Sequence, residues 1–253
     1  MIVKVFKTAQ TLGAHSAQEA AAAIVEAIAR KGEACIIVAT GASQFEFLKC
    51  LVADTRIDWS RVTAFHLDEY VGLAPTHRAS FRGYLRERFV GRLPMPIGAF
   101  HEIDAEGDPQ TECDRLGALI AGRTIDVCCL GIGENGHIAF NDPPADFETE
   151  VPYQVVQLDS ACRRQQVGEG WFDSLESVPT QAISMSVRQI LKSRLLVCSV
   201  PGRQKAEAVR ATLEGEVSNL VPASIMRNHP DFRLNLDVDS ASLLSEPHET
   251  TAL

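Results

Sequence analysis

Four continuous apolar runs constrain this chain most: ACIIVA at 34–39, VTAFHL at 62–67, IDVCCLGI at 125–132 and RLLVCSV at 194–200. A strand with one solvated face alternates apolar and polar residues, whereas a strand covered on both faces reads as an unbroken apolar run. Between the runs lie stretches with helical spacing, at about 16–29, 80–90, 109–121 and 202–214. Parallel strands need crossover connections, and helices at these places supply them. Further strands are expected at 2–6, 98–103 and 232–238, a short helix at 222–229, and a helix over SMSVRQIL at 184–191. The pattern predicts an α/β fold: a single domain with a mainly parallel, open doubly wound, Rossmann-like sheet and helices on both faces. Residues 145–182 are the least periodic and are expected to form a mobile insertion or lid. The last residues read as a frayed tail.

Ligands of such sheets sit outside the carboxyl ends of the strands. Three segments are expected there: TGAS at 40–43, DEY at 68–70, and the loop GIGENGHIAFND at 131–142. The loop fits G-x-G-x-x-G, the spacing of a dinucleotide fingerprint, which requires a helix after the third glycine. Pro143 and Pro144 would break such a helix within two turns. The other reading is a glycine-rich turn presenting His137 at a strand end, with Asn135 and Asp142 beside it. Histidine both takes and gives protons near neutral pH, and a polar partner on one ring nitrogen frees the other. A satisfied core histidine in a tight turn fits the same residues.

The adjacent carboxylates Asp68 and Glu69 read either as helix-capping groups or as a base in a partly apolar pocket. Thr40, Gly41, Ala42 and Ser43 form a small-residue turn before a helix. That turn is either a backbone cradle for an anion or a simple cap. Lys205, near the start of a later helix, supplies a fixed charge or is solvated.

The formal net charge of −9, without a basic patch, argues against nucleic acid as a partner. Seven irregularly spaced cysteines without a C-x-x-C read as free thiols, neither disulfides nor metal ligands. The chain shows no signal peptide and no apolar run of membrane-spanning length, so a cytoplasmic protein is expected.

Five motifs together resemble the glucosamine-6-phosphate deaminase (isomerase) family, in the wider group that includes 6-phosphogluconolactonases. They are TGAS, LDEYVGL at 67–73, GIGENGHIAFNDP at 131–143, VPGRQKA at 200–206 and VPASIMRNHP at 221–230. The resemblance spans nearly the whole chain. It implies conversion of an aminohexose 6-phosphate to fructose 6-phosphate and ammonia without cofactor or metal. It gives His137 ring opening, with Asn135 and Asp142 around it, and gives Asp68 the C2-to-C1 proton transfer. Thr40, Gly41, Ala42, Ser43, Gly133 and Lys205 are then the phosphate and substrate contacts. The family includes monomers and hexamers, so a homo-oligomer is compatible with it.

Two departures stand out. Where the family usually has Asp and Glu, this chain has Asn135 and Asp142. Asn135 is expected to accept a hydrogen bond from the imidazole without bringing charge, so ring opening is slower or suited to another sugar. The family's phosphate-binding Arg before an aromatic pair is Gly170 here, ahead of Trp171 and Phe172; Arg163 and Arg164 are the candidate substitutes. The alternatives are a 6-phosphogluconolactonase, a deaminase of another sugar phosphate such as galactosamine 6-phosphate, or a non-catalytic sugar-phosphate sensor.

Overall fold

The computed structural model describes residues 1–245; the tail expected to fray lies largely outside them. Seven parallel strands form the main sheet. They are β1 (Ile2–Phe6), β2 (Ala34–Val38), β3 (Val62–His66), β5 (Ala99–His101), β6 (Val127–Leu130), β9 (Leu195–Val200) and β10 (Phe232–Asp237), in the order β1-β10-β9-β6-β2-β3-β5. Each apolar run splits its side chains between two cores. In β6, Cys128 and Leu130 enter one core while Val127 and Cys129 enter the other. The first core is closed by α4 (Pro109–Ile120), α6 (Val187–Leu191) and α7 (Ala206–Glu214). The second is closed by α1 (Ala9–Lys31), α2 (Phe45–Val52) and α3 (Phe81–Arg88). The expected doubly wound α/β sheet is therefore present.

Two local readings are corrected. Helix α1 starts at Ala9, not near residue 16, because Thr8 and Thr11 form a reciprocal capping box. Its Gly13 is required by packing: a Cβ there would lie 2.6 Å from the Cβ of Glu46 on α2. Ser184 and Met185, expected in a helix, end strand β8 (Gln181–Met185), and Ser186 caps α6. The segment 145–182 is richer in structure than its composition suggests: it holds β7 (Tyr153–Gln157), α5 (Ser160–Gly168) and the start of β8. Strands β4 (Asp68–Tyr70), β8 and β7 make a second, antiparallel sheet that the sequence pattern did not disclose.

Strand β2 leads on to β3 and β5 on one side, while β6, β9 and β10 lie on the other. The strand order reverses between β2 and β6, which are hydrogen-bonded neighbours. A crevice at their carboxyl ends follows from loops leaving in opposite directions.

Candidate active site

A cleft of about 300 Å³ opens at that point. The loops after four neighbouring strands line it: Pro201–Lys205 after β9, Gly131–His137 after β6, Ala39–Ser43 after β2, and Leu67 and Asp68 after β3. The three expected segments therefore meet. Helix α5 supplies the outer wall through Gln165, Gln166 and the neighbouring Glu169.

Sheet β4-β8-β7 brings the two proton-moving candidates together. Asp68 pairs with Ser184 across β4 and β8. The Ser184 hydroxyl also accepts the Phe140 N–H at 3.0 Å, and Asn141 Nδ2 donates to the Met185 carbonyl at 2.8 Å. One strand thus holds both Asp68 and the loop that carries His137.

Successive residues of a strand point to opposite faces, and this divides the acidic pair. Asp68 is 6% exposed and lines the cleft. Among the described residues, no protein donor is hydrogen-bonded to its carboxylate. Burial, and next the negative charge of Glu69, push its carboxyl up to about 8. Glu69 is fully buried and faces away from the cleft. It accepts hydrogen bonds from the N–H groups of Tyr70, Phe81 and Arg82 and from the Ser80 hydroxyl, at 2.6–3.1 Å. It anchors the start of α3.

No helix follows Gly136, so the dinucleotide fingerprint lacks the element it needs. Residues 133–141 form a tight turn, closed by hydrogen bonds from Gly133 N to the His137 carbonyl and from Gly136 N to the Gly133 carbonyl, at 2.9 and 3.0 Å. The imidazole of His137 lies with Nδ1 2.9 Å from Asp142 Oδ1, a close contact that misses the alignment of a hydrogen bond. Its other nitrogen, Nε2, lies over Gly133; a Cβ at 133 would be 2.2 Å from it. Gly133→Ala is therefore expected to push the ring off Asp142 while leaving the fold intact. A displacement of about 1 Å costs about 10²-fold in rate. The check is kcat against the circular-dichroism spectrum; an unchanged kcat would show that the ring's position does not matter.

Contrary to the expectation from sequence, Asn135 does not accept a hydrogen bond from the imidazole. Its Oδ1 accepts the His137 backbone N–H at 3.1 Å, and its Nδ2 donates to Asp142 Oδ1 at 3.1 Å. Asp142, although shorter than Glu, reaches the ring. Burial raises its carboxyl, but the close contact with His137 and hydrogen bonds from Asn135 and the Asp159 N–H together outweigh burial and hold it below the usual range. Cys162 joins this group from α5. A ring nitrogen of His137, an Asp142 oxygen and Cys162 Sγ lie within 4.8 Å of one another. Burial and the nearby Asp142 and Asp159 carboxylates push the Cys162 thiol up, so it stands beside Asp142 as a proton-bearing donor.

At the other end, Gly41 has φ 92, a conformation open to glycine, and its carbonyl is held by the Tyr84 hydroxyl at 3.0 Å. Ala42 and Ser43 open the helical turn there, where backbone N–H groups lack intrahelical partners. Lys205 is 5% exposed and, among the described residues, is the one lysine or arginine lining the cleft. Burial pushes its ammonium below the ordinary range, with Glu169 and Glu134 pulling the other way. The two candidate arginines are elsewhere. Arg163 is tied to the Leu175 and Val178 carbonyls, and Arg164 borders a separate surface pocket with Glu134 and Asn135. The carboxylate of Glu169, which sequence reasoning missed, stands in the cleft wall. Gln165 Nε2 and Trp171 Nε1 fix its two oxygens at 2.7 and 3.1 Å.

Among the described residues, no helix is long and apolar enough to cross a membrane. Residues 7–234 match the family model described as glucosamine-6-phosphate isomerases/6-phosphogluconolactonase. A glucosamine-6-phosphate deaminase of Streptococcus pneumoniae (strain 70585) is 35% identical over 209 residues, 83% of this chain and 86% of the relative. Among solved structures, a monomeric glucosamine-6-phosphate deaminase superposes with a TM-score of 0.86 at 31% identity, covering 96% of this chain and 100% of the other. A 6-phosphogluconolactonase from Shewanella baltica shares the fold, with a TM-score of 0.76 at 20% identity over 94% and 97% of the two chains. The chain belongs to the glucosamine-6-phosphate isomerase/6-phosphogluconolactonase family.

Proposed function

We propose that this protein deaminates and isomerises an aminohexose 6-phosphate, turning glucosamine 6-phosphate and water into fructose 6-phosphate and ammonia. One observation carries the reading. A single cleft joins a buried carboxylate free of protein donors, a histidine backed by a carboxylate, and a small-residue turn with a buried lysine. The 6-phosphate sits on the Thr40–Ser43 turn with Lys205 as counter-charge. Binding energy from that non-reacting group positions the C1–C2 bond. His137, with Nδ1 toward Asp142, uses Nε2 to carry the anomeric hydroxyl proton to the ring oxygen, which opens the ring. Asp68 takes the C2 proton of the open aldose and returns it to C1. The resulting C2 imine adds water and releases ammonia.

A hydrolytic lactonase has no use for a C2 base, and the donor-free carboxylate of Asp68 favours the deaminase over that rival. Segment 145–182 acts as the cover, with α5 as its inner wall. No cofactor, metal, nucleic acid or membrane enters this chemistry. Seven unpaired cysteines support a reducing, cytoplasmic setting.

The test is ammonia release and fructose 6-phosphate formation from glucosamine 6-phosphate, with galactosamine 6-phosphate and 6-phosphogluconolactone in parallel. Lys205→Met is run alongside. Losing a buried charge-assisted contact of about 3 kcal/mol lowers kcat/KM on the order of 10²-fold, through KM and, because that contact positions the C1–C2 bond, through kcat as well. Turnover of the lactone alone would overturn the reading.

A further inference from the structure

The amide of Asn135 has a second partner. Its Nδ2 donates to Asp142 Oδ1 at 3.1 Å and also to Asp159 Oδ2 at 3.3 Å. Asp159 is the N-cap of α5, with Oδ1 accepting from Cys162 N at 2.6 Å, and its own N–H donates to Asp142 Oδ2 at 3.1 Å. Two carboxylates, one from the histidine loop and one from α5, therefore share one neutral bridging amide. We propose that Asp159 is a positioning residue of the His137 relay, and that position 135 must be an amide because two carboxylates already flank it. The inference builds on the proposed role of His137.

The physical argument concerns donors and charge. An amide nitrogen carries two hydrogens and suits two acceptors; a carboxylate carries none. An aspartate at 135 would place three carboxylates together, repelling one another and leaving the acceptors of Asp142 and Asp159 facing a third. The negative charge expected at position 135 comes instead from Asp159, one amide away. The titratable and charged groups facing this cluster are His137 in the loop, Cys162 and Arg164 on α5, and Glu134 beside Asn135. Asp159 does not line the cleft, so its influence on turnover runs through Asp142 and His137.

The experiment compares wild type, Asn135→Asp, Asp159→Asn and the double variant by thermal melting and by kcat and KM at pH 5.5 and pH 8.5. Asparagine caps helices as well as aspartate, so Asp159→Asn keeps α5. It is expected to lower kcat several-fold at constant KM. Asn135→Asp is expected to melt at least ~5 °C lower at pH 8.5 and to lose about tenfold in kcat, with both deficits shrinking at pH 5.5. In the variant, repulsion among the three carboxylates favours proton uptake by the folded state. Stability is therefore retained at acid pH, where one carboxyl carries a proton and donates as the amide did, and is lost as pH rises. The double variant restores one amide and two carboxylates, and is expected to recover both losses. An Asn135→Asp protein equal to wild type at pH 8.5, or a double variant no better than Asn135→Asp, overturns the proposal. Failure of wild type to turn over any aminohexose 6-phosphate counts against the proposed function only, since the melting comparison needs no substrate.

Discussion

Asp68→Asn is expected to fold, to bind sugar phosphate, and to lose at least ~10³-fold in kcat, because an amide takes no proton from carbon. The wild-type enzyme carries a further mark of the same residue. With its carboxyl pushed up to about 8, Asp68 is largely protonated in the free enzyme at neutral pH. The base form is the active one, so kcat/KM is expected to climb with pH and level off above about 8. Stability moves the opposite way. The folded-state value lies above the unfolded reference of about 3.9, so the contribution of Asp68 is full below that reference and falls as pH rises through about 8. Across this window the loss is on the order of several kcal/mol. Asp68→Asn removes it, and the variant is expected to melt above wild type at pH 9 while matching it near pH 4. Catalysis and stability are then opposed at one buried carboxylate. Turnover within tenfold of wild type would sink the assignment of the base. A melting difference independent of pH would sink the raised carboxyl.

The sequence made the main sheet legible because both-face burial leaves unbroken apolar runs such as IDVCCLGI, and the crevice followed from the strand alternation. The residues at strand ends were legible for the same reason: Thr40, Asp68 and His137 each follow such a run. The second sheet was not. DEY, YQVVQ and QAISM are too short to show a period, and the pairing of Asp68 with Ser184 spans more than a hundred residues. Without that register, the sequence could not say which of Asp68 and Glu69 faces the cleft. Asp159 was half legible. An aspartate opening SACRRQ is a helix-start signal, and the structure uses it so; its second oxygen meets Asn135 only through tertiary packing. Glu169 gave no signal, because its place in the cleft depends on where α5 docks.

The neighbouring acid is expected to fail in a different way. Glu69→Ala removes a fully buried carboxylate that accepts four hydrogen bonds: from the N–H groups of Phe81 and Arg82 and the Ser80 hydroxyl at the start of α3, and from the Tyr70 N–H on β4. Those donors would be left in a site closed to water, since Glu69, Ser80 and Arg82 are all buried. Each orphaned buried donor costs about 1–3 kcal/mol, and relaxation of the Ser80–Arg82 turn recovers part of that. A net loss of about 4 kcal/mol lowers the melting temperature of a chain this size by about 10 °C. Glu69→Gln keeps one acceptor oxygen but turns an amide N–H₂ toward two of the donors, so an intermediate loss is expected. The distinguishing measurement is kcat below the melting transition. If Glu69 only anchors α3 and the adjacent strand, Glu69→Gln that remains folded keeps its kcat within a few-fold while Asp68→Asn does not. A well-folded Glu69→Gln with kcat reduced as far as in Asp68→Asn would mean that the two carboxylates act on the substrate together, and that opposite faces of β4 do not divide their roles.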